Sequence, residues 1–379
     1  MKFENLTEDQ KQTLLRTLSR AESLRIAKLW HKGQRTIYYW REELMKMGLE
    51  DQVIRDYLKT QSEINLIAVS NKFNVAPIQI QNVVESLQKE GKLIDIRDGK
   101  VLHLSELPAY QVIKIDIQPF FGTKARFGVV SDTHLNSKYE RLDVLNALYD
   151  MFEREGIKTV LHAGNIIDGF CRLNQFDVWN SGVDEQIGYL IKNYPIRKDF
   201  VTHFITANDH EGWYIKQNHV NIGKNIENTA IGNGRKDLHY LGHIEADVEI
   251  KIGERPTIIR VFHPGRGSAY AKSYKPQKII ESFAGGEKPD FLVIGHYHKS
   301  GWDIIRNVPY VGAGCTTDQS PYLRTNPTQV DVGGYIVELR IDEAGNVRRV
   351  IPEWFIFYNK GFYKKAIVKK YEKVWEYRW

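Results

Sequence analysis

From Arg126 onward the chain alternates short apolar runs with amphipathic helical stretches, and five of those runs end in His, Asp or Asn. FGVVS, TVLHAG, FIT, IIRVF and FLVIG read as buried strands. After them come Asp132 and His134, then Asn165 and Asp168, then Asn208, Asp209, His210 and Glu211, then His263, and last His296 and His298. Core packing has no use for so many polar side chains at these points. In open α/β sheets the carboxyl ends of strands are where sites assemble. A single Asp-x-His after a strand is ordinarily a turn, and a single histidine such as His263 is ordinarily a satisfied or surface one. Gly-His-x-His says more, because glycine permits the bend that turns two side chains toward one cavity. The five together, in this order, point to a catalytic or metal-binding cluster.

Helices expected at 139–155, 183–193 and around 276–284 separate these strands, and VPYVGAG and GYIVELRI make the later part strand-rich. The pattern predicts an α/β fold, a four-layer αββα sandwich of two mixed sheets, over residues 125–345. Upstream the pattern is different. Residues 1–60 read as a helical region, with one helix over 1–30 and another over 38–60. Thr7 and Gln10 form the capping box of the first, and Leu14, Leu15, Leu18, Leu24 and Leu29 its apolar stripe. Residues 61–106 predict a helix at 62–72, a turn at FNVAP, a helix at 78–90 stopped by Gly91, and a hairpin about Asp98-Gly99. That order resembles a winged helix-turn-helix, a mainly helical domain ahead of the sandwich. Residues 107–124 read as a linker and 346–379 as a basic aromatic segment.

Composition narrows the class. With 42% hydrophobic and 26% charged residues among 379, the chain is too apolar for disorder and long enough for two domains. Cys171 and Cys315 are the two cysteines, without zinc-ribbon spacing, which fits a reducing cytoplasm. The polar N-terminus is no secretory signal, and no apolar run reaches membrane-spanning length, so a cytoplasmic location is expected. The net charge is +6, and residues 347–379, with nine Lys/Arg against three Glu, account for it.

The ordered blocks SDTH, AGN-x-x-D, NDHE, FHPG and GHYH resemble those of the calcineurin-like metallophosphoesterases over residues 126–300. The resemblance implies that Asp132, His134 and His298 bind one metal and His263 and His296 a second, with Asn165 bridging them. It also implies one further ligand from the third block and a histidine there, His210, that assists the leaving oxygen. The implied cofactor is a pair of divalent ions. Mn comes first, with Fe or Zn also suited to imidazole and carboxylate. The implied reaction is attack of a metal-bridging hydroxide on phosphorus.

Two blocks depart from the pattern. The bridging position, usually Asp, is Asn165, and the third block is one residue longer. Aligning it on His210 and Glu211 puts Asp209 where the family has Asn, so Asp and Asn have exchanged places and the ligand charge is conserved. The alternative ligand is Asn208. The residues leave open whether Asn165 belongs to an active site, is a deliberate inactivating change, or marks a catalytically silent relative.

The flanking parts suggest the substrate. Gln79, Gln81 and Asn82 on the second helix of the winged-helix-like module can read base edges. That helix is poor in cations, so docking to a protein partner is the competing role for the module. The tail sets Lys364, Lys365, Lys369 and Lys370 among Trp, Tyr and Phe, a pattern suited to phosphates and stacked bases. Its bland alternative is a closing strand and a packed helix. The favoured expectation is a DNA phosphodiesterase, exonuclease or endonuclease, of the repair-nuclease branch. The alternatives are a small-molecule or nucleotide phosphoesterase and a catalytically silent DNA-binding or scaffold protein.

Overall fold

The structure, a computed structural model, describes residues 20–46, 49–104, 110–114, 123–265, 271–325 and 329–358, with isolated positions 6, 7, 10, 11, 13, 14, 267 and 269. The basic aromatic residues Lys364, Lys365, Lys369 and Lys370 lie outside the described residues. The chain divides into two compact units, Met1–Glu106 and Leu107–Trp379. Among the described residues no helix is long and apolar enough to cross a membrane.

In the first unit the described helices are α1 (Arg20–Leu29), α2 (Gln34–Lys46), α3 (Leu49–Lys59), α4 (Leu66–Phe73) and α5 (Pro77–Lys89). The strands are β1 (Glu63–Asn65), β2 (Ile94–Arg97) and β3 (Lys100–His103), arranged β1-β3-β2. Thr7 and Gln10 do cap each other: each backbone N–H is bonded by the other's side chain. The buried face of α1, however, is Ser23, Ile26 and Ala27, while Leu24 and Leu29 are exposed. Ser23 is admitted to that face because it accepts from Gln34 and donates to Tyr38. The helix expected over 38–60 is two, α2 and α3. The helix expected from residue 62 begins at Leu66, because the Asn65 side chain caps the N–H groups of Ile67 and Ala68 and residues 63–65 pair with β3.

The second helix and hairpin follow the sequence closely. Pro77 opens α5, and Ile80, Val83, Val84 and Leu87 pack with Val69 and Phe73 of α4 and Val101 of β3. Asp98 and Gly99 both have positive φ (48° and 72°), the geometry of a two-residue turn matched to the twist of its strands.

The second unit holds two six-stranded mixed sheets. One has the order β15-β14-β5-β6-β7-β8, where β5 is Lys124–Val130, β6 Thr159–His162, β7 Val201–Thr206, β8 Leu238–His243, β14 Val332–Ile341 and β15 Val347–Phe357. The other has the order β12-β13-β11-β10-β9-β4, where β4 is Tyr110–Lys114, β9 Glu245–Ile250, β10 Thr257–Phe262, β11 Phe291–Ile294, β12 Ser300–Ile305 and β13 Val308–Ala313. β5 to β8 run parallel, as do β10, β11 and β13. The inner faces meet in one core, where Phe127, Val129 and Val337 pack on Val248, Ile259 and Val293. The rings of Phe127 and Phe291 meet edge to face at 6.2 Å. Each such buried side chain contributes about 1.5–3 kcal/mol.

Helices α6 (Leu142–Arg154), α7 (Val183–Asn193), α8 (Glu211–Asn218), α9 (Ile222–Gly232), α10 (Tyr274–Ser282) and the short α11 (Pro321–Thr325) complete the unit. α6 lies so close to β5 that a Cβ on Gly128 would meet the Phe152 ring at 2.7 Å. Ile280 of α10 packs on Leu292, Ile294 and Tyr310, the outer face of the other sheet. This is an α/β fold of two mixed sheets with helices outside. β4 falls within the stretch expected to be a linker, and β15 within the stretch expected to be a tail.

Candidate metal centre

The parallel strands β5, β6, β7, β10 and β11 bring their carboxyl ends to one place. Two glycines let the ends come so near. A Cβ on Gly164 would meet His263 Nδ1 at 2.5 Å, and one on Gly295 would meet the Ala163 carbonyl oxygen at 2.3 Å. Asp132, His134, Asn165, His210, His296 and His298 all have positive φ. Non-glycine residues rarely adopt this conformation, and its cost is of order 1–3 kcal/mol each. Surrounding hydrogen bonds fix it: Asp132 N–H donates to Gly164 O and His134 N–H to Asn165 O, both at 3.0 Å.

The side chains form two triads that share no residue, Asp132 with His134 and His298, and Asp209 with His263 and His296, while a third group, His134 with Asp168 and His210, overlaps the first. In each, one ligand atom per residue lies within 4.8 Å of the others. Asp132 is wholly buried. Its Oδ2 accepts from Ser131 Oγ (2.5 Å) and His296 N–H (2.9 Å), and its Oδ1 lies 3.2 Å from His298 Nε2 and 3.9 Å from His263 Nε2. Burial alone would raise its pKa, but His298 and His263 hold it well below the usual carboxylate range. His296 Nδ1 lies 3.3 Å from Asp209 Oδ2.

Between the triads sits Asn165. Of its two amide orientations, the one that matches donors to acceptors sends the nitrogen to Asp209 Oδ1 and Glu211 Oε2, each at 3.1 Å. The amide oxygen then faces His263 Nε2 at 3.2 Å. Glu211 is buried, accepts from the N–H groups of Asn165 and Ala207, and is pushed well above the carboxylate range by burial. Asn208, the alternative ligand, is exposed. Asp209 lines the cavity instead.

Asp168, to which the sequence assigned no role, joins His134 of the first triad to His210. It accepts from His134 Nδ1 at 2.8 Å and lies 3.4 Å from His210 Nδ1, and Asn174 holds its other oxygen at 3.0 Å. His210 also donates from Nδ1 to the Asp168 carbonyl (2.9 Å), so its Nε2 is left for the cavity. The signal for Asp168 was in the AGN-x-x-D block, whose last position needs the three-dimensional neighbour His134 to acquire a meaning.

This donor set suits cations. Neutral His134, having given its Nδ1–H to Asp168, faces His298 Nε2 with a lone pair at 3.2 Å. His263 Nδ1 meets the Ala163 carbonyl (2.6 Å), and its Nε2 faces three oxygens, those of Asp209, Asp132 and Asn165. His298 Nδ1 is buried with no hydrogen-bond partner among the described residues. Convergent lone pairs repel unless a cation sits among them. Without one, a proton takes that part: burial opposes charge on His134, yet its bonds to Asp132 and Asp168 push it up to about 10. His134, Asn165, Asp209, His296 and His298 open together onto a cavity of about 560 Å³, and His210 lines it too.

The nucleic-acid candidates of the first unit are placed less uniformly. Asn82 is exposed, Gln81 is half-buried, and Gln79 donates to Asp51 at 3.3 Å.

Residues 125–300 match the calcineurin-like phosphoesterase family, and this stretch is a calcineurin-like metallophosphoesterase domain. No curated protein matches the sequence. Solved structures similar to this chain include a novel archaeal phosphodiesterase (15% identity, TM-score 0.33, 61% of this chain and 99% of that one). Another is the 5′-nucleotidase precursor of Thermus thermophilus (13%, 0.34, 65% and 58%). A third is zinc-complexed wild-type Vps29 of Entamoeba histolytica (13%, 0.29, 62% and 99%).

Proposed function

We propose that this chain is a metal-dependent phosphodiesterase acting on DNA, as an exonuclease or endonuclease. The observation that carries the reading is the pair of His/Asp triads with Asn165 between them and His210 alongside. Asp132, His134 and His298 would hold one divalent cation and Asp209, His263 and His296 the other, with the Asn165 oxygen shared. Such a pair supplies a water acidic enough to lose its proton near neutral pH and neutralises the phosphate.

The chain's own residues do the rest. Asp168 fixes the tautomer of His134, leaving Nε2 free to ligate, and aligns His210 from the same carboxylate. His210 Nε2, carrying a proton, gives it to the departing ester oxygen. Asn165 contributes no charge, so Asp209 supplies the anion that the bridging position lacks. The serine of the blocks, Ser131, is engaged in its bond to Asp132, and direct displacement needs no covalent nucleophile.

DNA as substrate is supported by the first unit and by the tail sequence. α3, β1, α4, α5 and the β2–β3 hairpin follow in the order of a winged helix, with Gln81 and Asn82 on α5 as base readers. The test incubates purified protein with Mn and with labelled single- and double-stranded DNA or a chromogenic diester. Cleavage of DNA is expected. Cleavage of the chromogen alone would replace DNA with a small substrate, and cleavage of neither would leave a silent scaffold.

A further inference from the structure

The cavity over the triads has a wall that metal binding does not need. His210 connects the two: its ring meets His134 edge-on at 4.3 Å, and Trp213 of α8 lies tilted against it at 4.7 Å. His210 thus stands between the His/Asp cluster and Trp213. Tyr297, between the ligands His296 and His298, and Tyr322 of α11 also line the cavity, as does Leu173, which is 78% exposed. With Tyr139 and Leu323 also in the lining, two leucines and four aromatic rings around one cavity make a surface for a flat apolar group. The same wall carries Asp177 and Asp318, and among the described lining residues there is no Lys or Arg. Asp318 is paired with Arg141 at 3.1 Å.

We infer that this cavity seats one unpaired nucleotide, with its phosphate at the His/Asp cluster and its base against Trp213. The inference rests on the phosphodiesterase reading and narrows its substrate to a strand end or an unpaired nucleotide. About 560 Å³ is in the range that encloses a small ligand. A base inside a duplex is stacked and paired and reaches such a cavity only when taken out of the stack. The contribution of base–aromatic stacking corresponds to roughly fivefold to 150-fold in affinity.

The test is calorimetry on the full chain loaded with Mn, with thymidine 5′-monophosphate and methyl phosphate as probes. The parent is expected to bind the nucleotide at least about tenfold more tightly than methyl phosphate. In Trp213→Ala that preference should fall below about threefold, and in Trp213→Phe most of it should return. Should Trp213→Ala not melt cooperatively, Tyr322→Ala on the short α11 carries the same comparison. Equal affinities in the parent, or an unchanged preference in the folded variants, overturns the inference. Hydrolysis of bis(p-nitrophenyl) phosphate, run in parallel, keeps the two readings apart. Turnover without nucleotide preference removes the base seat and leaves the phosphodiesterase. Preference without turnover keeps the seat and removes the catalysis.

Discussion

The two triads differ in how they are held. Asp132 and His134 are buried and the His298 side chain is only 11% exposed, and Ser131, Asp168 and the His296 N–H fix the first two in place. In the other triad His263 is buried, but the Asp209 side chain is 32% exposed and its neighbour at the shared position is an amide. Rigid, charged donors bind cations more firmly than a partly exposed carboxylate beside a neutral amide. The first position should therefore fill first, and the second should depend on Asp209.

The largest expected effect is at Asp132. Its Oδ1 faces histidines of both triads, so Asp132→Asn should weaken both positions, and DNA hydrolysis should fall by a factor on the order of 10³. Asp209→Asn should lose one cation of the two in Mn calorimetry. If it binds two as well as the parent does, the contrast between the triads is wrong and Asp209 is no ligand. Asp168→Asn should cost about 10–100-fold in first-site affinity, because it releases His134.

Asn165→Asp sharpens the contrast in a smaller way. A carboxylate there would raise second-site affinity. Without metal it would face Asp209 and Glu211 at 3.1 Å, so the variant should melt below the parent in chelator and above it in Mn. The double exchange Asn165→Asp with Asp209→Asn should keep two cations.

The smallest effect distinguishes the supports beneath the triads. Buried His162 bonds Thr133 under the first, and buried His243 bonds Thr206 under the second. Burial lowers His162 to about 3 and His243 to about 4. Both are held neutral in the fold and both charge readily once unfolded, near 6.5. Their contribution to stability is complete above pH 6.5 and declines as pH falls toward those values. His243→Gln should flatten the decline between pH 6.5 and 4, as read from melting temperature against pH.

Much of this was legible in the sequence for a physical reason. A parallel strand buried on both faces reads as a largely apolar run, which His203 in β7 and Arg260 in β10 interrupt without hiding, so β5, β6, β7, β10 and β11 and the polar residues after them stood out. β15 did not. It pairs with β14 but is half-exposed, and Arg348, Arg349 and Glu353 hid its period. β1 and the true start of α4 were missed because Asn65 acts through a cap, and caps outweigh an apolar stripe at helix ends. Asp168 was visible and Trp213 was not, since a ring on a polar helix gains meaning only from His210 beside it. The exchange of Asp and Asn was legible as chemistry, while the bonds from Asn165 to Asp209 and Glu211 needed coordinates.

The most direct test of the account is a crystal of the full chain soaked in Mn and measured by anomalous diffraction. Two peaks about 3.5–4 Å apart are expected. One should be bounded by Asp132, His134 and His298 and the other by Asp209, His263 and His296, with Asn165 between. A cavity without peaks, or a single peak whose donors are drawn from both triads, would contradict the two-cation site.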